Sequence, residues 1–192
     1  NVGIGNNNPL YPLSFYSGIG DKISLWGGAG NHFGFGIQSN LMQIHSANSV
    51  DDIAFGYGTS SAFTENMRIK GTGNVGIGNN NPLYPLSFNS NIGDKISLWG
   101  AAGNHYGLGI QSNLFQIYSA NSVDDIAFGY GTSSAFTENM RIKGTGNVGI
   151  GTNNPWLKLD VQANSSGFPV AVFKNQNASG YSGITFLSSA NV

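Results

Sequence analysis

NVGIGNNNPLYPLSF, residues 1–15, returns letter for letter at residues 74–88, and once more at 147–161 as NVGIGTNNPWLKLDV. From Asn1 to Asn74, and from Asn74 to Asn147, the interval is 73 residues. Working outward, residues 1–73 and 74–146 differ at only seven positions, which in the first copy are 16, 18, 28, 33, 35, 42 and 45. Self-similarity on this scale indicates an array of like modules rather than one compact core. The reading is a β module over 1–73, a second over 74–146, and the start of a third, divergent one over 147–192. Because the chain begins inside a repeated motif and ends on strand-like TFLSSANV, it reads as an excerpt of something longer.

Inside the motif, Val2 and Ile4 (Val75 and Ile77, Val148 and Ile150) alternate with glycine, so Gly3 and Gly5, Gly76 and Gly78, and Gly149 and Gly151 leave one strand face bare. Such faces permit close backbone approach. Pro9, Pro82 and Pro155 then end the strand, because proline lacks an N–H and biases the residue before it toward extended geometry. In MRIKGTGNVGIG, residues 67–78, a strand ending at Ile69 meets the turn KGTGN and reverses into Val75 and Ile77.

Period-two alternation continues through each repeat, and no window of eleven residues carries a helical apolar stripe free of Gly or Pro. In the first repeat the expected strands are YPLSF (Tyr11, Leu13 and Phe15 on one face), KISLW (Ile23 and Leu25), FGFGIQ (Phe33, Phe35 and Ile37), LMQIHS (Met42 and Ile44), DIAFGY (Ile53, Phe55 and Tyr57) and FTENMRI. Each is bounded by Gly, Asn, Ser or Pro, as in an all-β module with tight connections. FGFGIQSNLMQIHS reads as a hairpin turning at Ser39 and Asn40, with Ile37 opposite Met42, Phe35 opposite Ile44 and His45 across from Gly34. Repeat two supports this register: Phe35 and Met42 become Leu108 and Phe115, an exchange that keeps volume within one packed layer. His45, whose counterpart is Tyr118, would lay a ring over a bare strand glycine.

Charged residues are 9% of the chain, eight basic and nine acidic scattered along it, and there is no cysteine. That excludes the basic stripe a nucleic acid needs, a polybasic lipid patch, a disulfide framework and a thiolate site. No run reaches the length of a membrane span and no signal pattern opens the chain. About a fifth of each 73-residue module is Gly or Pro. Such a module has a thin core, and its uncharged strand edges invite pairing. A homo-oligomer with interlocked sheets is therefore expected.

Residues 139–161, NMRIKGTGNVGIGTNNPWLKLDV, resemble the GNVGIGTTxPxxxLDV signature of phage tail fibres and of tail-fibre-like bacterial surface proteins. Asn147, Val148, Gly149, Ile150, Gly151, Thr152, Pro155, Leu159, Asp160 and Val161 carry the match. The first two copies depart from it, with Asn6 and Asn79 in place of Thr and LSF in place of LDV. The resemblance implies an elongated homotrimeric β fibre shaft, three chains winding around a common axis and continuing end to end, on a virion or otherwise outside the cell. Its role would be that of a stalk supporting attachment to a cell surface, with any receptor-binding tip or self-cleaving chaperone domain beyond this stretch.

Few residues suggest chemistry, and neither enzymatic activity nor a cofactor is expected. His32 and His105, in AGNHFG and AGNHYG, read as loop residues before a strand; on a threefold axis, three imidazoles would suit a metal ion such as zinc or nickel. Asp51 and Asp52, with Asp124 and Asp125, are paired carboxylates of the kind glycoside hydrolysis uses, yet strand neighbours face opposite ways and a turn role fits better. Glu65 with Arg68, and Glu138 with Arg141, read as exposed charges or weak surface pairs. Trp26 and Trp99 would suit stacking on a sugar, or packing between chains. No nucleophile elbow, phosphate loop, dinucleotide fingerprint or zinc-protease motif occurs. Sequons at Asn164 and Asn177 matter only for secretion by a eukaryote.

Overall fold

A computed structural model describes residues 1–163, together with 166, 170–173, 176 and 184. The sequons and TFLSSANV lie outside the described residues. Among those described the protein is all-β, with sixteen strands and no helix. It divides into two units, Asn1–Asn91 and Ile92–Val192.

The first unit holds β1 (Val2–Ile4), β2 (Leu13–Phe15), β3 (Gly20–Gly28), β4 (Asn31–Gln38), β5 (Leu41–His45), β6 (Ile53–Thr59), β7 (Ala62–Ile69), β8 (Val75–Ile77) and β9 (Leu86–Phe88). They form three sheets, β1-β2, β3-β4-β5 and β6-β7-β8-β9. The second unit holds β10 (Gly93–Ala101), β11 (Asn104–Gln111), β12 (Leu114–Tyr118), β13 (Ile126–Thr132), β14 (Ala135–Ile142), β15 (Val148–Ile150) and β16 (Leu159–Val161), in the sheets β10-β11-β12 and β13-β14-β15-β16. The sequence boundary between residues 73 and 74 falls in the turn joining β7 to β8, and those two strands pair with each other.

The β4–β5 hairpin has the register its alternation dictates: Ile37 faces Met42, Phe35 faces Ile44 and Gly34 faces His45. Asn40, the second turn residue, occupies the left-handed region at φ 60°, which asparagine tolerates. Two expectations need correcting. Tyr11 does not extend the face of Leu13 and Phe15; it precedes β2, and its N–H and carbonyl both engage Ser14 Oγ, at 3.4 and 3.3 Å. Leu25 does not share a face with Ile23 either. The pairings Ile23–Phe35, Ser24–Gly34 and Trp26–Phe33 leave Leu25 as the extra residue of a β-bulge, so Trp26 takes the place beside Ile23.

The motif builds something period-two counting does not reveal. β8 pairs in parallel with β9, Val75–Leu86 to Ile77–Phe88, across a connection of only eight residues, 78–85. Parallel neighbours ordinarily need a dozen or more. The short path works because the chain folds back over the bare face of its own strand: a Cβ on Gly76 would lie 1.9 Å from the Asn79 carbonyl oxygen. Gly78 makes the turn at φ 61°, and Asn74 Nδ2 donates to the Pro82 carbonyl at 3.2 Å. Asn79 Oδ1 accepts from the Asn81 N–H at 2.9 Å, and in the third copy Thr152 Oγ1 accepts from Asn154 N–H at 3.3 Å, so Asn and Thr serve alike at this position.

Apolar packing within the chain is slight. Among the described residues no Val, Ile, Leu, Met, Phe, Tyr or Trp side chain is buried; the fully enclosed side chains are Pro82 and Pro155, and the buried polar ones are His32 and Asp160.

Candidate functional site

The β3-β4-β5 sheet has two unlike faces. Ile23, Trp26, Phe33, Phe35, Ile37, Met42 and Ile44 make up one. On the other, Asp21 lies opposite Gly36 and His45 opposite Gly34, with His32 two residues along β4. The glycines make the room. A Cβ on Gly36 would stand 3.1 Å from Asp21 Oδ1, and one on Gly34 3.1 Å from His32 Cδ2 and 2.1 Å from the Ile23 carbonyl oxygen. His32 belongs to strand β4 and not to a loop, and it does not stand without companion ligands.

The His32 and His45 rings meet edge to face, with centroids 4.9 Å apart. Asp21 lies between their outer nitrogens: Oδ2 is 3.6 Å from His32 Nε2 and Oδ1 is 3.6 Å from His45 Nε2. His45 Nδ1 is 3.1 Å from the His32 carbonyl oxygen. A carbonyl only accepts, so Nδ1 carries the proton and the lone pair of the neutral ring sits on Nε2. Both Nε2 atoms are buried and unpartnered, a condition that costs about 1–3 kcal/mol per atom. A concavity lined by Asp21, Ser24, Gly27 and His32 opens the cluster to solvent.

In the second unit the same face carries Asp94, His105 and Tyr118. The phenol oxygen of Tyr118 sits 2.7 Å from His105 Nε2, while His105 Nε2 keeps its 3.6 Å separation from Asp94 Oδ2. Burial, then a hydrogen bond donated to Asp94 and the charge of that carboxylate, push the Tyr118 phenol above its usual range. Tyr118 thus supplies hydrogen bonds where His45 leaves nitrogens open.

Trp26 and Trp99 stand exposed on the apolar faces, each tilted against its cross-strand neighbour, Phe33 or Tyr106, at 5.9 Å between ring centroids. Tyr106 differs from Phe33 in reaching a carboxylate. Burial, its hydrogen bond to Asp124 and the nearby charges of Asp124 and Asp125 raise its pKa.

Glu65 and Arg68 do pair, but in a shielded network and not as loose surface charges. The β6–β7 pairing slips by one residue between Phe55–Met67 and Gly56–Glu65, leaving Asn66 as a bulge. Residues three apart in a regular strand face opposite ways, and the bulge puts Glu65 and Arg68 on one side. Arg68 grips Glu65 with both Nε and Nη2, at 3.0 and 2.5 Å, and donates Nη1 to Asp52 at 2.7 Å. Asp52 also accepts the Gly71 N–H at 3.1 Å. All three side chains are largely shielded from solvent, and Arg141, Glu138, Asp125 and Gly144 repeat the arrangement. The paired aspartates are therefore divided, since Asp52 is committed to tying the start of β6 to the turn after β7.

Burial alone would raise the Asp52 carboxyl; the Gly71 N–H, the Arg68 hydrogen bond and the charges of Arg68 and Lys70 outweigh it and hold the group below its ordinary value. Asp125 behaves alike. A carboxyl depressed by folding adds stability that is full above its unfolded pKa of about 3.9 and disappears as pH falls through the lower folded value. Urea midpoints followed by circular dichroism should therefore owe no change to these groups between pH 7 and 5, then fall below about pH 4. Asp52→Asn combined with Asp125→Asn should flatten that acid limb; an unaltered limb would mean the triads carry no linkage.

The remaining motif residues are structural. Gly5, Gly78 and Gly151 adopt φ between 61° and 70°, and Gly3, Gly76 and Gly149 lie under the carbonyls of Asn6, Asn79 and Thr152. Pro82 and Pro155 are enclosed, whereas Pro9 is half-buried, at a copy where β1 pairs with β2 alone. Compared with known protein families and with curated proteins, the chain matches none.

Proposed function

We propose that this chain is a structural segment of an extracellular or virion-borne β fibre, built from three identical chains, whose modules extend reach toward a cell surface. The observation that carries this reading is that, the two enclosed prolines apart, no large apolar side chain is buried among the described residues. Burial of apolar surface is the main favourable term in folding. A chain that does not enclose its own must cover it with something else, and seven apolar residues on the β3-β4-β5 face offer a continuous surface to a second copy. The number three and the fibre context rest on the resemblance of residues 139–161. Light scattering coupled to size exclusion tests the reading: the expected mass is three times the 20.2 kDa of one chain. A mass of one chain with cooperative unfolding would overturn it.

A second reading, multivalent glycan binding, draws on the groove beside the ion triad, lined by Phe63, Glu65, Arg68, Asn79, Asn80 and Asn91. Rings beside amides and charged hydrogen-bonding groups suit a sugar, and Phe136, Glu138, Arg141 and Asn153 line a like groove in the second unit. Weak sites repeated along a fibre would gain by avidity. Retention on a glycan array that Arg68→Ala with Arg141→Ala abolishes would establish it, and no retention returns the chain to a mechanical role. Polysaccharide cleavage draws no support from Asp52, whose pKa is displaced away from that of a general acid.

A further inference from the structure

We infer that Asp21, His32 and His45 form a binding site for a divalent transition-metal ion of the zinc class, present in the first module and lost from the second. One ligand atom from each lies within 4.8 Å of the others. The two nitrogen–oxygen separations, 3.6 Å each, are too long for hydrogen bonds. One runs to each carboxylate oxygen, which leaves space for a cation between the two nitrogens and the carboxylate with ligands at about 2.0–2.1 Å. Two imidazoles and a carboxylate are the borderline donor set that zinc, cobalt(II) and nickel(II) accept.

Three further observations bear on the same point. Both Nε2 atoms are buried without a partner, and a bound cation answers that deficit for both at once. The tautomer is already set, because the His32 carbonyl takes the Nδ1 proton of His45 and leaves Nε2 its lone pair; metal-bound histidines commonly have their other nitrogen fixed in this way. The cluster also has a way in: Asp21 is more than half exposed, and the concavity beside it leaves room for water at the remaining coordination position.

The second unit is the internal contrast. Asp94 and His105 hold the same relation, but Tyr118 replaces the third ligand and its phenol oxygen takes up His105 Nε2 at 2.7 Å. Of the seven differences between the repeats, His45 against Tyr118 decides whether the face holds an ion. Where one is held it joins β3, β4 and β5, acting as a brace across the sheet.

The test uses the full chain, stripped with a chelator and titrated with zinc by calorimetry and with cobalt(II) by its ligand-field absorption. The expected stoichiometry is one ion per chain. His45→Tyr, which installs a residue the second module already accommodates, should weaken binding at least a hundredfold, and Tyr118→His should raise the stoichiometry to two. At a zinc concentration a hundred times Kd, linkage shifts the folding equilibrium of the wild-type module about a hundredfold, which raises its thermal midpoint, and leaves His45→Tyr unmoved. No binding, one ion that persists in His45→Tyr, one ion per three chains, or no second ion in Tyr118→His would each overturn the assignment.

Discussion

Gly76→Ala should disrupt the β6-β7-β8-β9 sheet, lowering stability by about 3 kcal/mol or more, at the upper end of what single substitutions do. The new Cβ would stand 1.9 Å from the Asn79 carbonyl oxygen, 3.0 Å from its carbon and 3.3 Å from Pro82 Cδ. Those obstacles are backbone and a proline ring, neither of which swings aside as the tip of a flexible side chain would. β8 has no freedom to retreat, because Gly76 is paired on one side with Arg68 and on the other with Ser87. The loop must therefore lift, and the short parallel connection lifts with it. Gly73→Ala is the control: its φ of 98° strains an alanine, but nothing stands within 4 Å of the added methyl, so the cost should stay near 1–2 kcal/mol. Gly149→Ala, at 2.5 Å from the Thr152 oxygen, should fall between the two. Urea denaturation of the three variants gives the order, and equal midpoints for Gly76→Ala and Gly73→Ala would refute the close approach.

The strands were legible because their side chains alternate, and the β4–β5 register was legible because Ser39 and Asn40 leave a single way to turn. Once that register is known, His45 opposite Gly34 lies diagonal to His32, so two of the cluster's three members follow from the sequence. Asp21 does not. Counting back along β3 without interruption from the pair Gly28–Asn31 would set Asp21 opposite Gln38. Bulges between Asp21 and Ile23 and between Ser24 and Trp26 bring it opposite Gly36 instead. That draws the carboxylate two residues, about 7 Å, closer to His32. An inserted residue of this kind leaves no periodic trace, and the Asn66 bulge likewise concealed that the Glu65–Arg68 pair is shielded and tied to Asp52. The β8–β9 pairing was obscure for another reason: the glycines announced a close approach without saying which segment would make it.

Ile44→Glu combined with Ile117→Glu should reduce the proposed three-chain assembly to single chains of 20.2 kDa. Both residues lie mid-strand on the apolar faces, paired with Phe35 and Leu108, and both are about half exposed in the single chain. In an isolated chain a glutamate at such a site keeps its water, so the substitution should cost under about 1 kcal/mol and leave the circular dichroism of the strands intact. Between chains the same carboxylate would be stripped of water with no cation to meet it, at roughly 2 kcal/mol or more for each group. Two such groups in each of three chains sum to about 12 kcal/mol, or about nine orders of magnitude in the assembly constant. No plausible working concentration compensates for that. Val50→Glu, on a residue 84% exposed and outside any strand, should leave the mass unchanged. If the double variant keeps the three-chain mass, the apolar faces do not lie between chains, and the cover for them must come from a different partner.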